Sequence, residues 1–277
     1  MIAGMTTRER DMGSRHTIAD DSAIRVDVLG PVRVKRDGRS IALPPIQRDL
    51  LAILVVRRGI GITHDAIADR LWPAQEQPMN AGKVVQGHIC RVRRAIGASS
   101  LQRDEQRYRL DMACVDTDLL RFELAVSDAE KHHVDEDPIA ALATCDIVSS
   151  LWRGEPFEGV ASAIPPGEVA RLHELRRRCD EIRLDGLLRI GSYRDAVLTA
   201  ESLVADDPMR ESAWGALMVA LMALGRSADA LHAFSRARRS LAEALGLEPG
   251  RSLKWIEEQV VRGNVIRADD LRNLSMI

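Results

Sequence analysis

Residues 80–96 read NAGKVVQGHICRVRRAI, and the fold is decided there. Val85, Ile89, Val92 and Ile96 recur at spacings of 4, 3 and 4, an apolar stripe of helical period that marks one buried face. At about 100° per residue the opposite side carries Lys83, Gly87, Cys90 and Arg94, flanked by Gln86 and Arg91. His88 and Arg93 lie nearer the buried edge. The stretch holds no acid, so the spacing predicts an amphipathic helix with a wholly basic outer side.

Upstream, residues 24–29, 32–34 and 41–43 alternate apolar and polar side chains around an Asp37-Gly38 turn, which predicts a small antiparallel sheet. Leu50, Leu51, Leu54 and Val55 form one face of a helix over 47–58, closed by Gly59 and Gly61. Thr63 is the expected N-cap of a short helix over 64–71, which Pro73 stops. Downstream, 100–103 and 107–110 predict a strand pair around Asp104-Glu105-Gln106. Tyr108 and Leu110 are expected as core plugs between Arg103, Arg107 and Arg109, and Trp72 as core. Sheet, three helices and a hairpin make a winged helix-turn-helix over 24–115. In such a module the basic helix enters a major groove, where arginines reach guanine edges and Gln86 pairs with adenine. The alternative at the level of the helix alone is a solvated basic face. Arg103 and Arg107 are either phosphate contacts or partners of Asp104, Glu105 and Asp111.

From residue 116 the strand signals stop. Helices are expected over about 117–131, 137–151, 167–190, 194–206, 210–224, 227–245 and 249–262. Leu187, Gly191, Ala196 and Leu203 recur 34 residues later as Leu221, Gly225, Ala230 and Ala237, the tetratricopeptide period. The expected organisation is therefore a disordered tail over 1–23, a winged helix over 24–115, an all-α tetratricopeptide-like repeat domain over 116–262 and a C-terminal tail over 263–277. The fold class is mostly α with a small β component.

Charge follows the same division. Residues 24–115 carry 16 Lys and Arg against 9 Asp and Glu, whereas 116–277 carry 20 against 28, inside an overall net charge of −2. The basic part suits a polyanion and the acidic part some other partner. No apolar run approaches the roughly 18 residues of a membrane span, so no membrane partner is expected. Cys90, Cys114, Cys145 and Cys179 include no Cys-x-x-Cys pair, which suits a reducing, cytoplasmic setting. His132 and His133 are adjacent and diverge on a helix, so no metal site is expected. No Walker loop, nucleophile elbow or His-Glu-x-x-His is present, and neither an enzyme nor a cofactor is expected. The Arg176-Arg177-Arg178 run reads as a solvated helical face, with a second DNA contact as its alternative.

Three stretches together resemble a known family. VLGPVRVKRDGRSIALPPIQRDLLAILVVRRGIGITHDAIADRLWP (28–73), AGKVVQGHICRVRRAI (81–96) and YRLD (108–111) resemble the OmpR/PhoB-type winged helix as used by the Streptomyces antibiotic regulatory proteins. LWRGEPF (151–157) and the run from 172 to 250 resemble that family's bacterial transcriptional activator domain. The resemblance implies a nucleoid-associated activator that binds direct repeats near promoters as paired protomers, recruits RNA polymerase holoenzyme and switches on secondary-metabolite genes. It places base reading on Gln86 and Arg91, and phosphate or groove contact on Lys83, His88, Arg93 and Arg94. The expected site counts Lys83 with the base readers and adds Thr63, Arg103 and Arg107 to the phosphate or groove contacts. Helical geometry supports Lys83, Gln86, Arg91 and Arg94 independently, whereas His88 and Arg93 rest on the resemblance. Arg107 stands where the family usually has glycine before the wing tyrosine, and Cys90 stands at a position that is often polar or basic. With no receiver before residue 24 and little chain beyond 262, aspartyl phosphorylation is not the expected switch. Two alternatives from other classes are a protein-interaction scaffold and a regulator whose helical domain senses a small molecule.

Overall fold

The computed structural model describes residues 24–273, so the expected N-terminal tail and residues 274–277 lie outside the described residues. Strands β1 (Ile24–Asp27), β2 (Arg33–Arg36) and β3 (Arg39–Ser40) open the chain. The β2–β3 hairpin turns at Asp37 and Gly38, both at positive φ (50° and 73°), the twist that a two-residue connection requires. Residues 41–43, expected as a strand, extend the ladder only through the Ile41 N–H to the Val34 carbonyl at 2.8 Å before helix α1 (Pro45–Val56), since Pro44 and Pro45 lack the N–H groups that a ladder needs. Val26 pairs with Val34 across β1 and β2, and both are buried in the apolar cluster that includes α1.

Next come β4 (Ile62–Thr63), α2 (His64–Leu71), α3 (Ala81–Ile96), β5 (Leu101–Asp104), β6 (Arg107–Leu110) and β7 (Val115–Thr117). The second sheet has the order β4-β6-β5, the expected wing with one short strand added. Strand β7 lies parallel to β1 at the far edge of the first sheet, giving the order β3-β2-β1-β7. Its three residues, Val-Asp-Thr, are too short for a period to be read, and the sequence offered no sign of it.

The rest is helical: α4 (Asp118–Val134), α5 (Pro138–Leu151), α6 (Pro166–Arg189), α7 (Tyr193–Asp206), α8 (Glu211–Ala223), α9 (Ser227–Leu245), α10 (Arg251–Arg262) and α11 (Ala268–Asn273). Gly191 and Gly225, 34 residues apart, take φ of 73° and 74° after α6 and α8. These are the left-handed helix ends that allow the chain to double back at the same point of each repeat. Ala196, Ala230 and Ala237 are fully buried, and Trp214 donates its Nε1–H to the carbonyl of Pro208 at 2.9 Å. The segment 263–273, expected as a tail, includes α11 and packs Ile266 and Leu271 onto the repeat core.

The buried packing groups the chain in a way that a division at residue 115 does not display. One apolar cluster runs from Ile24 to Ile182 and a second from Leu184 to Leu271. The first therefore joins the winged helix to α4, α5 and most of α6. At the junction the Asp118 carboxylate, 1% exposed, accepts the backbone N–H groups of Val28 at 2.7 Å and Leu29 at 2.9 Å. Arg153 adds a guanidinium contact at 3.3 Å, and its own N–H donates to the Leu29 carbonyl at 2.8 Å. On the other side Arg58, after α1, donates to Glu123 of α4 and Glu168 of α6, and Arg171 joins both carboxylates.

Burial raises the pKa of Glu123 and Glu168, but the hydrogen bonds from Arg58 and Arg171 outweigh it and leave both below the usual value. A depressed acid stabilises the fold above its unfolded pKa, and that stability is lost as pH falls through the folded pKa. Urea midpoints should accordingly drop below about pH 4.5, the ordinary glutamate range, and Glu123→Gln should flatten that decline. Asp118→Ala strands two buried N–H groups and should cost about 2 to 6 kcal/mol in urea unfolding, at about 1 to 3 per orphaned donor. A loss under 1 kcal/mol would show that the junction is not held there.

Candidate nucleic-acid interface

Helix α3 is positioned from beneath. Val85, Val92 and Ile96 are essentially fully buried with Ile89, and this stripe seats the helix on α1 and α2. At Gly82 the two helices lie close: a Cβ there would fall 2.6 Å from His64 Cδ2, so a side chain would displace the imidazole. Thr63 caps α2 as expected, its Oγ1 accepting the Ala66 N–H at 3.3 Å.

With the stripe buried, Lys83, Gln86, Gly87, Cys90, Arg91 and Arg94 are exposed along one side, and His88 and Arg93 are half-buried. Six of the expected positions on this helix thus divide as the 100° periodicity requires. His88 differs from the rest in chemistry. Burial, followed by the charge of Arg91, holds its imidazole below the usual value, and its Nδ1 is buried with no hydrogen-bond partner. At neutral pH it presents a neutral ring rather than a cation.

The wing stands beside α3. Tyr108 and Leu110 are buried plugs of β6, Arg107 and Arg109 alternate with them on its exposed face, and Arg103 lies opposite Tyr108 on β5. Arg107 pairs with Thr63 across β6 and β4, bringing those two sites side by side, and its Nη1 lies 3.5 Å from the Gly61 carbonyl. Its backbone is ordinary strand, because the turn is carried by Glu105 at φ 51°. The arginine in the place of the family's glycine therefore fits without strain. Arg103 donates to the Glu105 carbonyl at 2.9 Å and lies 5.9 Å over the Tyr108 ring, and Arg109 donates to Gln102 at 2.6 Å. Among the described residues no wing arginine makes an ion pair with Asp104, Glu105 or Asp111.

A cleft of about 490 Å³ separates α3 from the wing. Arg36, Arg93, Arg94 and Arg103 line it with Gln86 and Cys90, and no carboxylate does. Arg36 went unnoticed in the sequence because β2 reads only as an alternating strand. The fold carries its Nη1 to within 3.4 Å of the Ala95 carbonyl at the end of α3. On the other flank of α3 a second cleft, of about 570 Å³, is lined by Asp65 and Asp69 as well as His64, Asn80 and Lys83. Four guanidinium groups around an acid-free cleft suit a polyanion backbone, and the exposed amide and guanidinium groups of α3 suit planar bidentate acceptors.

The remaining expectations fall elsewhere. Arg176 stacks over Trp152 at 4.8 Å, Arg177 faces Glu174 and Asp207, and Arg178 faces Glu130 and Glu181. That run is a paired helical face. Among the described residues no group of three or more His, Cys, Asp or Glu is placed to hold a metal, and no helix is long and apolar enough to cross a membrane.

Comparison with known proteins places this geometry. Residues 38–107 match the family described as transcriptional regulatory protein, C terminal, and residues 117–261 match the bacterial transcriptional activator domain. Regulatory protein DnrI of Streptomyces peucetius is 30% identical over 256 residues, which cover 87% of this chain and 93% of that one. Regulatory protein AfsR is 30% identical in Streptomyces griseus and 33% in Streptomyces coelicolor. The chain spans only about a quarter of the length of these two, 27% and 25%. The solved structure of Mycobacterium tuberculosis EmbR in complex with a low-affinity phosphopeptide shares the fold, with a TM-score of 0.83 at 22% identity over 92% of this chain and 69% of that one. With both domain families matched in order and a relative aligned over nearly its full length, the chain belongs to the Streptomyces antibiotic regulatory protein family of transcriptional regulators.

Proposed function

We propose that this protein is a sequence-specific DNA-binding activator that sits on direct repeats near promoters as paired protomers and recruits RNA polymerase. The observation that carries the reading is the acid-free side of α3, continued by the arginine-lined cleft toward the wing. In this reading α3 lies in the major groove, Arg91 and Gln86 read base edges with Lys83 beside them, and the cleft holds one phosphate strand. Arg93, Arg94, Arg103, Arg107 and the newly placed Arg36 supply phosphate contacts, and Thr63 offers its hydroxyl proton. His88 contributes shape and a neutral hydrogen-bonding nitrogen. The chemistry is recruitment, with residues 24–115 reading DNA and the acidic helices of 116–262 meeting protein partners. A target in a secondary-metabolite gene cluster fits the family.

A second reading adds an effector to the same function. A cavity of about 810 Å³ lies between α6, α7, α8 and the segment 263–268, lined by Leu188, Val219, Met222 and Ile266 with Tyr193 at one side. Its size is within the range of small-molecule sites. Saturation with a small apolar probe that fills this cavity should shift operator affinity if this reading holds.

Genome fragments captured by the purified chain at near-physiological salt should carry direct repeats about one helical turn apart beside promoters. On that site Arg91→Ala should cost about 1 to 3 kcal/mol and leave random duplex binding nearly unchanged. Equal losses on both would remove the base-reading role. Arg36→Ala should weaken both alike and lower the slope of log affinity against log salt by about 1. An unchanged slope would take Arg36 out of the phosphate set.

A further inference from the structure

Two of the four cysteines are fully inside the protein, Cys145 on α5 and Cys179 on α6, at 1% and 2% exposure. They stand 34 residues apart in sequence, and their sulfur atoms are 3.1 Å apart in space. The Cys179 thiol donates to the Cys145 sulfur, and the Cys145 thiol faces the Cys179 carbonyl at 3.4 Å. A disulfide brings two sulfurs to about 2.05 Å, so bond formation needs an approach of only about 1 Å between side chains already in contact. Neither thiol takes part in the DNA-facing surface, and neither has a metal-ligating neighbour set among the described residues.

We propose that Cys145 and Cys179 are a site of reversible oxidative modification, closing to an intramolecular disulfide that staples α5 to α6 when a hydroperoxide reaches them. Cys145 is the attacking member: the hydrogen bond from Cys179 and the charge of Arg183 draw its thiol below the ordinary value, whereas that same bond and burial push Cys179 up. The Cys145 thiolate attacks one peroxide oxygen, the O–O bond breaks, and a sulfenic acid forms as the first water leaves. The Cys179 sulfur then attacks the Cys145 sulfur, the S–OH bond breaks, and hydroxide leaves with the Cys179 proton as the second water. Two thiols lose two electrons and hydrogen peroxide gains them. A dithiol reductant reverses the bond by exchange.

The position gives the bond its reach. Cys145 and Cys179 belong to the same apolar cluster as the winged helix, and α5 and α6 both pack on α4, which carries Asp118 and Glu123. A staple here fixes the platform on which the DNA-reading part is mounted. Full burial makes the reaction slow, and it shields the bond from bulky reductants once closed.

The test uses the full chain. It is treated with hydrogen peroxide, alkylated after unfolding and digested at Lys and Arg. Peptides 132–153 and 179–183 then carry one of these cysteines each, and 84–91 carries Cys90. The expected result is a joined 132–153/179–183 species that dithiothreitol separates, with a urea midpoint raised only in the oxidised sample. Alkylation of both cysteines after peroxide treatment overturns the proposal. So does a disulfide to Cys90 or Cys114, or sulfinic acid at Cys145 with Cys179 still free.

Discussion

A single buried carboxylate ties the two ends of this fold together. Asp118 sits at the first turn of α4 and accepts the N–H groups of Val28 and Leu29 where the first strand leaves its sheet. Desolvation of that acid is costly, and burial does raise its pKa, so only the two N–H donors and Arg153 make its position tenable. The reverse also holds, because Val28 and Leu29 lie past the end of β1 and have no ladder partner for those N–H groups. Strand β7, which runs directly into α4, pairs with β1 immediately beside this fastening.

The DNA-facing geometry descends from that fastening. The first sheet and α1 share one apolar cluster, α1 packs on α3, and the buried stripe of α3 turns Lys83, Gln86, Arg91 and Arg94 outward. Beta2 swings Arg36 to the C-terminal end of α3, where it completes the arginine cleft. The Arg58 network with Glu123, Glu168 and Arg171 is the counterpart on the helical side. It fastens the C-terminal end of α1 to α4 and α6.

Periodicity made some of this legible. The α3 stripe, the alternating wing and the 34-residue echo of Gly191 at Gly225 each repeat often enough to stand out, and the elements they predict are present. Strand β7 is three residues long, and its cause is a parallel partner 91 residues away, which no local pattern contains. Arg36 failed to register for the same reason: its role depends on where β2 places it against α3. The tail reading of 263–273 missed its docking because only Ile266 and Leu271 anchor it, too few to form a period. His88 was placed correctly on the helix, but its neutrality comes from burial and from Arg91, and spacing carries no information on either.

The two flanks of α3 are not electrically equivalent. One borders Arg36, Arg93, Arg94 and Arg103, and the other borders Asp65 and Asp69. In the proposed docking a duplex presents phosphate on both sides of the groove, so the two flanks of α3 would contribute unequally: the guanidinium flank attracts that charge and the carboxylate flank repels it. The hold on the backbone would then be one-sided, concentrated on the strand that the wing side meets.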